Sequence, residues 1–111
     1  MDARCEKCGQ VMVLALQGRL DTMAAPAFDA EVNRLLQASE RLFLLDLSGL
    51  NYISSAGLRS LLMLAKQVDA RAGKLVLCGL EEMISEVFQV AGFEAIFNIC
   101  QDRAAGLASL A

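Results

Sequence analysis

The chain has no histidine and no tryptophan, a single proline, and only five Phe and one Tyr among its 111 residues. Without histidine there is no Ser–His pair to activate a nucleophile and none of the commonest metal ligand. No Lys or carboxylate stands at a spacing that predicts a general base, and no Gly-rich phosphate-cradling loop occurs. A hydrolase or transferase is therefore not expected, nor is a cofactor. Charge is also sparse and mixed: ten Lys and Arg against thirteen Asp and Glu, net −3. No basic stripe with interleaved aromatics exists, so direct nucleic-acid binding lacks its electrostatic footprint. Apolar runs are broken by charged or amide residues well before the roughly 18 needed to span a bilayer, and membrane insertion is not expected. The first residues, Met1-Asp2-Ala3-Arg4-Cys5-Glu6-Lys7, carry no apolar signal-peptide core. Cytoplasmic residence is the resulting expectation.

What is present is apolar residue, 56% of the chain against 21% charged. That balance excludes disorder and predicts one domain over residues 1–111. Four cysteines fall as Cys5-x-x-Cys8, Cys78 and Cys100. A zinc site needs a second closely spaced ligand pair, which is absent, and a redox Cys-x-x-Cys ordinarily opens a helix after a strand. Cys78 and Cys100 read as small core hydrophobes, Cys5 and Cys8 as flanking a turn at Lys7–Gln10, and no metal is assigned.

Apolar runs and turn residues alternate along the chain. A short edge strand is predicted at 3–6, a hairpin turn at Gly9-Gln10, and a strand buried on both faces over Val11–Leu16. Gly18–Thr22 breaks that strand. Phe28, Val32, Leu35 and Leu36 form one stripe of a helix from Pro26 to about Ala38, with Pro26 in its first turn. Leu42–Leu47 is a second buried strand, ended by a turn at Ser48-Gly49. A helix from about Ala56 to Ala72 carries Leu58, Leu61, Leu62, Ala65, Val68 and Ala72, with Gly73 as C-terminal cap. Leu75–Cys78 is a third strand, Glu81–Val90 a helix closed by Gly92, Ile96–Ile99 a last strand, and Gln101–Leu110 a terminal helix. Such alternation predicts βα units on a sheet.

Ser54 and Ser55 stand at the start of the second helix, where unpaired N–H groups and the macrodipole favour negative charge. With no base to make it attack, Ser55 reads as a residue modified by a partner; the plainer reading is a cap and a turn residue. On the same helix, Met63 lies nearly opposite the apolar stripe, beside Arg59, Lys66 and Gln67. A Met among long polar side chains suits a partner surface.

Leu45-Asp46-Leu47-Ser48-Gly49-Leu50, followed by Tyr52-Ile53-Ser54-Ser55-Ala56-Gly57-Leu58, resembles the signature of STAS domains of bacterial anti-sigma factor antagonists. The likeness extends to Val13–Asp21 with Pro26, to Gly73–Leu80, and to Phe88–Phe93. It implies an α/β fold: a mixed sheet of about four or five strands with helices packed largely on one side. It also implies partner switching, in which the unphosphorylated protein binds an anti-sigma factor that is itself a serine kinase and so frees a sigma factor. Phosphorylation breaks that complex and a metal-dependent serine phosphatase restores it. By position in the motif the phosphoacceptor is Ser55, and Asp21, Ser54, Ser55, Arg59 and Met63 are the expected partner-binding residues, in a monomer or weak dimer. Ser54 departs from the pattern, since many members carry Asp there; Ser still caps the helix but adds no charge. The alternative is a constitutive STAS scaffold, such as a regulatory subunit of a transporter or another signalling complex, with no phosphorylation cycle.

Overall fold

A strand that is apolar at consecutive positions has to be covered on both faces, and this requirement organises the whole chain. In the computed structural model, which describes residues 1–111, one mixed sheet runs in sequence order: β1 (Asp2–Cys8), β2 (Val11–Leu20), β3 (Leu42–Ile53), β4 (Lys74–Cys78) and β5 (Asn98–Cys100). β1 pairs antiparallel with β2 through a tight turn, Cys8 opposite Val11, with Gly9 at φ 61°. The remaining pairs are parallel. Helices α1 (Ala25–Gln37), α2 (Ser55–Ala70) and α3 (Glu82–Ala91) cover one face, and α4 (Arg103–Leu110) covers the other.

Alternation along the strands divides the core in two. Leu14, Leu16, Phe43, Leu45, Leu47 and Leu77 point to the three-helix side, where they meet Phe28 and Leu35 of α1, Leu61 and Leu64 of α2, and Phe88 of α3. Val11, Val13, Leu44, Val76 and Cys78 point the other way, under Leu107 and Leu110 of α4. Cys78 and Cys100 both lie against this smaller cluster, as expected of small hydrophobes. The three-helix side is closed at one end by Phe88, Phe93 and Phe97, with ring centroids 5.5–6.0 Å apart. Rings packed at that spacing add to the area they bury.

Several boundaries differ from the sequence reading, each for a tertiary reason. Ser48-Gly49 does not end the strand: β3 runs on to Ile53, and β2 continues through Gly18 to Leu20. The two remain paired beyond the predicted break because register shifts at Ala15/Gln17 and Gly18/Arg19 absorb the irregularity as bulges. Gly73 is not the cap of α2. The helix ends at Ala70, and it is Ala72 that takes positive φ, 57°. Gly73 is needed instead for close packing: a Cβ there would sit 2.3 Å from the Arg41 carbonyl oxygen. The last strand is Asn98–Cys100, because Phe93–Ala95 forms a 3-10 turn that folds Phe97 into the core. Gly92, at φ 76°, does close α3 as predicted.

Cys5 and Cys8 are three apart on one strand and so face opposite sides of the sheet. The Cys5 thiol donates to Glu31 of α1 at 3.1 Å, while Cys8 packs with the α4 cluster. Burial and the Glu31 carboxylate push the Cys5 thiol up to about 11. Burial, with the charge of Asp46 nearby, pushes Cys78 equally high, to about 11. High thiol pKa values and opposed faces oppose both thiolate chemistry and joint ligation.

Candidate functional site

The long strands β2 and β3 end side by side at Leu20 and Ile53, and the chain leaves both at one edge of the sheet. The Ser54 N–H donates to the Leu20 carbonyl oxygen at 3.0 Å, so the start of α2 is held against the end of β2. Ser54 has extended backbone and its Oγ accepts the Gly57 N–H at 3.1 Å; the hydroxyl also donates to the Leu20 carbonyl at 3.4 Å. That is a helix N-cap, and it occupies both hydrogen-bonding roles of the Ser54 side chain. Ser55 is the first residue of α2 and is exposed. Of the two adjacent hydroxyls, one is tied into the fold and the other is presented to solvent.

Asp21 follows Leu20 directly. Its carboxylate accepts the Ala24 N–H at 2.9 Å and its backbone carbonyl accepts Ala24 and Ala25, which makes it the residue that turns the chain into α1. Through the Leu20–Ser54 hydrogen bond it borders the serine pair, so Asp21, Ser54 and Ser55 share one edge of the molecule. Arg59 is exposed one turn beyond Ser55 on the same face of α2. Met63 stands farther off, two turns along the helix, where it lines a groove of about 390 Å³ between α1 and α2 with Asp29, Asn33 and Gln67. It is 48% exposed, consistent with its place opposite the buried stripe, and it stands in that groove two turns from Ser55.

Three features of this edge escaped the sequence reading. Arg19 stacks over the ring of Tyr52 at 4.0 Å, its register partner across the β2–β3 bulge. Met23, in the turn before α1, is exposed almost completely, at 88%. Gly57 has a backbone role: a Cβ there would lie 2.5 Å from the Leu20 carbonyl oxygen and 2.9 Å from Ile53 Cγ1. Tyr52 and Gly57 stand in the Leu45–Leu58 motif without their contacts being legible there; nothing local signalled Met23.

Behind the site, Asp46 anchors α4 to the sheet. Its carboxylate accepts the Ser48 N–H at 3.0 Å and Arg103 at 2.9 Å, and Arg103 also reaches Glu6 at 3.3 Å. Burial alone would raise the Asp46 pKa. The Ser48 backbone and hydroxyl hydrogen bonds, with Arg103, outweigh it and hold the carboxyl below its ordinary value.

A sheet in this order, with a capped, hydroxyl-bearing start to the second helix, defines a known class. Residues 3–106 match the family model of the STAS domain, and the chain belongs to that family, with the anti-sigma factor antagonists. It is 38% identical over 109 residues to BtrV of Bordetella bronchiseptica, named as a candidate anti-sigma factor antagonist, covering 98% of this chain and 94% of that protein. In structure it resembles a candidate anti-sigma factor antagonist of Thermotoga maritima, with a TM-score of 0.93 at 18% identity over 97% of this chain and 93% of that one. It also resembles the Bacillus cell fate determinant SpoIIAA in its phosphorylated form, with a TM-score of 0.74 at 21% identity over 94% and 96% of the two chains. The expected α/β fold, a mixed sheet with most helices on one side, is the fold found. No helix is long and apolar enough to cross a membrane.

Proposed function

We propose that this protein is an anti-sigma factor antagonist that works by partner switching, with Ser55 as its phosphoacceptor. The reading rests on one contrast above all: Ser54 is consumed as the cap of α2, while Ser55 beside it is exposed on the helix's first turn. The unphosphorylated protein binds an anti-sigma factor that is a serine kinase, through the edge formed by Asp21, Ser54 and Ser55 with Arg59. Met63 extends that surface along α2. A metal-dependent serine phosphatase reverses the modification, and the cycle runs in the cytoplasm without catalysis by this chain. SpoIIAA, which shares the fold, exists in both unphosphorylated and phosphorylated forms.

The physics supports a switch with little refolding. A phosphate adds about −1.5 to −2 charges to a surface that must pack closely against the partner. Desolvating a charge without a counter-charge costs several kcal/mol, and each 1.4 kcal/mol is about tenfold in affinity. The fold itself tolerates the group, because the start of α2 supplies N–H donors and a favourable dipole.

The test is co-expression with the serine kinases of the source cell, followed by intact-mass analysis and phosphosite mapping. A single phosphate on Ser55 is expected, with partner binding lost in Ser55→Asp and kept in Ser55→Ala. No modification, and binding indifferent to both substitutions, overturns the reading in favour of a constitutive scaffold.

A further inference from the structure

Helix α3 is apolar on more of its circumference than the core uses. Ile84 and Phe88 are buried against the sheet, yet Met83, Val87 and Val90 are 69%, 36% and 92% exposed. At about 100° per residue, Val90, Met83 and Val87 fall within an arc of about 60°, at i, i+4 and i+7. They form a ridge about 10 Å long at a rise of about 1.5 Å per residue. Scattered exposed apolar side chains are ordinary, but three in line along one helix are a surface feature. The other exposed methionines stand differently: Met1 and Met23 line a shallow hollow beside Arg19 and Asp21, and Met63 sits in the α1–α2 groove.

The charge on the ridge's own segment of the chain is of one sign. Glu82 and Glu86, both exposed, line one edge of it on the helical wheel, and Glu81 and Glu94 stand at the ends of the segment. From Leu75 to Asp102 the chain contains no Lys or Arg. This concentration is local, since the whole chain carries only −3.

We propose that the α3 ridge docks a basic amphipathic helix of a protein partner, at a surface separate from the serine edge. An apolar row at helical spacing matches the apolar row of a second helix laid along it. The glutamates select Lys or Arg at the rim of that helix, which speeds encounter and fixes orientation. The same acids repel an anionic lipid surface. Met83 supplies an adaptable contact. The proposal stands independently of Ser55, because no residue of the ridge takes part in the serine edge.

The probe is a synthetic peptide of about 18 residues of Leu and Lys, patterned with Leu on one helical face, long enough to be helical when bound. It is titrated into the isotope-labelled full chain and followed by amide shifts and fluorescence anisotropy. The expected shifts centre on residues 82–91. Met83→Ser/Val90→Ser and Glu82→Lys/Glu86→Lys each weaken binding at least about tenfold, as does raising salt from about 0.05 to about 0.3 M. Ser55→Asp leaves the affinity unchanged. These side chains are exposed, so both double variants still unfold cooperatively, Glu82→Lys/Glu86→Lys a few degrees lower because Glu82 lies in the first turn of α3, and a Leu/Glu peptide of the same pattern does not bind. Shifts centred on α1 or α2, or affinity indifferent to both double variants, overturn the proposal. So does a dimer in light scattering that Met83→Ser/Val90→Ser dissolves, because the ridge would then belong to a second copy of this chain.

Discussion

Replacing Gly57 by alanine sets two physical effects against each other at the site, and the structure decides the sign. Gly57 is the third residue of α2. Helix propensity alone favours alanine there by up to about 1 kcal/mol. An added Cβ, however, would stand 2.5 Å from the Leu20 carbonyl oxygen and 2.9 Å from both Leu20 Cγ and Ile53 Cγ1. The carbonyl has little freedom to retreat, since it accepts the Ser54 N–H at 3.0 Å and belongs to a residue paired with Ile53 of β3. The start of α2 must therefore move outward, stretching both the Ser54–Leu20 bond and the Ser54–Gly57 cap. Overpacking of this kind costs about 1–3 kcal/mol, with the cap, worth about 1 kcal/mol, also at risk. The net expectation for Gly57→Ala is a loss of about 1–2 kcal/mol. At about 4 °C per kcal/mol for a domain near 100 residues, the midpoint falls by about 4–8 °C. Urea unfolding followed by circular dichroism measures the loss directly. Ala56→Gly, the reverse exchange one residue earlier, should also destabilise, but by propensity alone, about 1 kcal/mol or less. A Gly57→Ala protein as stable as the parent, or more so, would refute the packing argument.

Ser54→Ala removes the cap and should cost about 1 kcal/mol, while Ser54→Asp, which still caps, should cost less; urea midpoints separate the two. Asp46→Asn should destabilise the protein at neutral pH by weakening the Arg103 tie to α4. The Asp46 pKa is lowered on folding, so its contribution is present above the unfolded value near 3.9 and is lost as pH falls through the lower folded value. Parent and variant unfolding curves should accordingly converge in acid; a gap that persists below pH about 2 would contradict this origin. Cys5 and Cys78, both pushed up to about 11, should alkylate with iodoacetamide far more slowly at pH about 8 than an ordinary thiol near 8.5, as read by peptide mass spectrometry. Rapid labelling of both in the folded protein would contradict the environments described.

The elements legible in the sequence were those whose signal is local. The stripe of α1 and the Gly92 stop of α3 are set by periodicity and by a positive φ, which neighbouring residues reveal. What stayed hidden depended on a partner distant along the chain. Ser48 and Gly49 have turn chemistry, yet they remain extended because Gln17 and Gly18 pair with Gly49 and Leu50 across a bulge. Gly73 looks like a cap because its local setting is that of one, while its true constraint is the Arg41 carbonyl 32 residues earlier. Helix α4 showed few strong anchors because part of its attachment is electrostatic, through Arg103 and Asp46, and part is close approach of Gly106 to Leu44. At the start of α2, the motif already separated a capping Ser54 from Ser55, whereas the second tie on Ser54, to the Leu20 carbonyl, was hidden because that atom lies on another strand.

If Ser55 is the phosphoacceptor, as proposed, that shared carbonyl would let a partner sense the modification while the fold ignores it. The Leu20 oxygen binds Ser54 twice, through its N–H and its hydroxyl, and so fixes the helix start from below. Ser55, one residue further, makes none of these bonds and points its change of charge outward. A phosphate there would meet the positive end of α2 on one side and the proposed partner on the other. The first contact is favourable by a fraction of a kcal/mol to about 1, and the second is unfavourable by several. The difference appears almost entirely in the complex, so Ser55→Asp should leave the melting midpoint within a few degrees of the parent while abolishing partner binding. A midpoint that fell in step with affinity would place the effect of the charge in the fold of α2 instead, and the switch would have to be conformational.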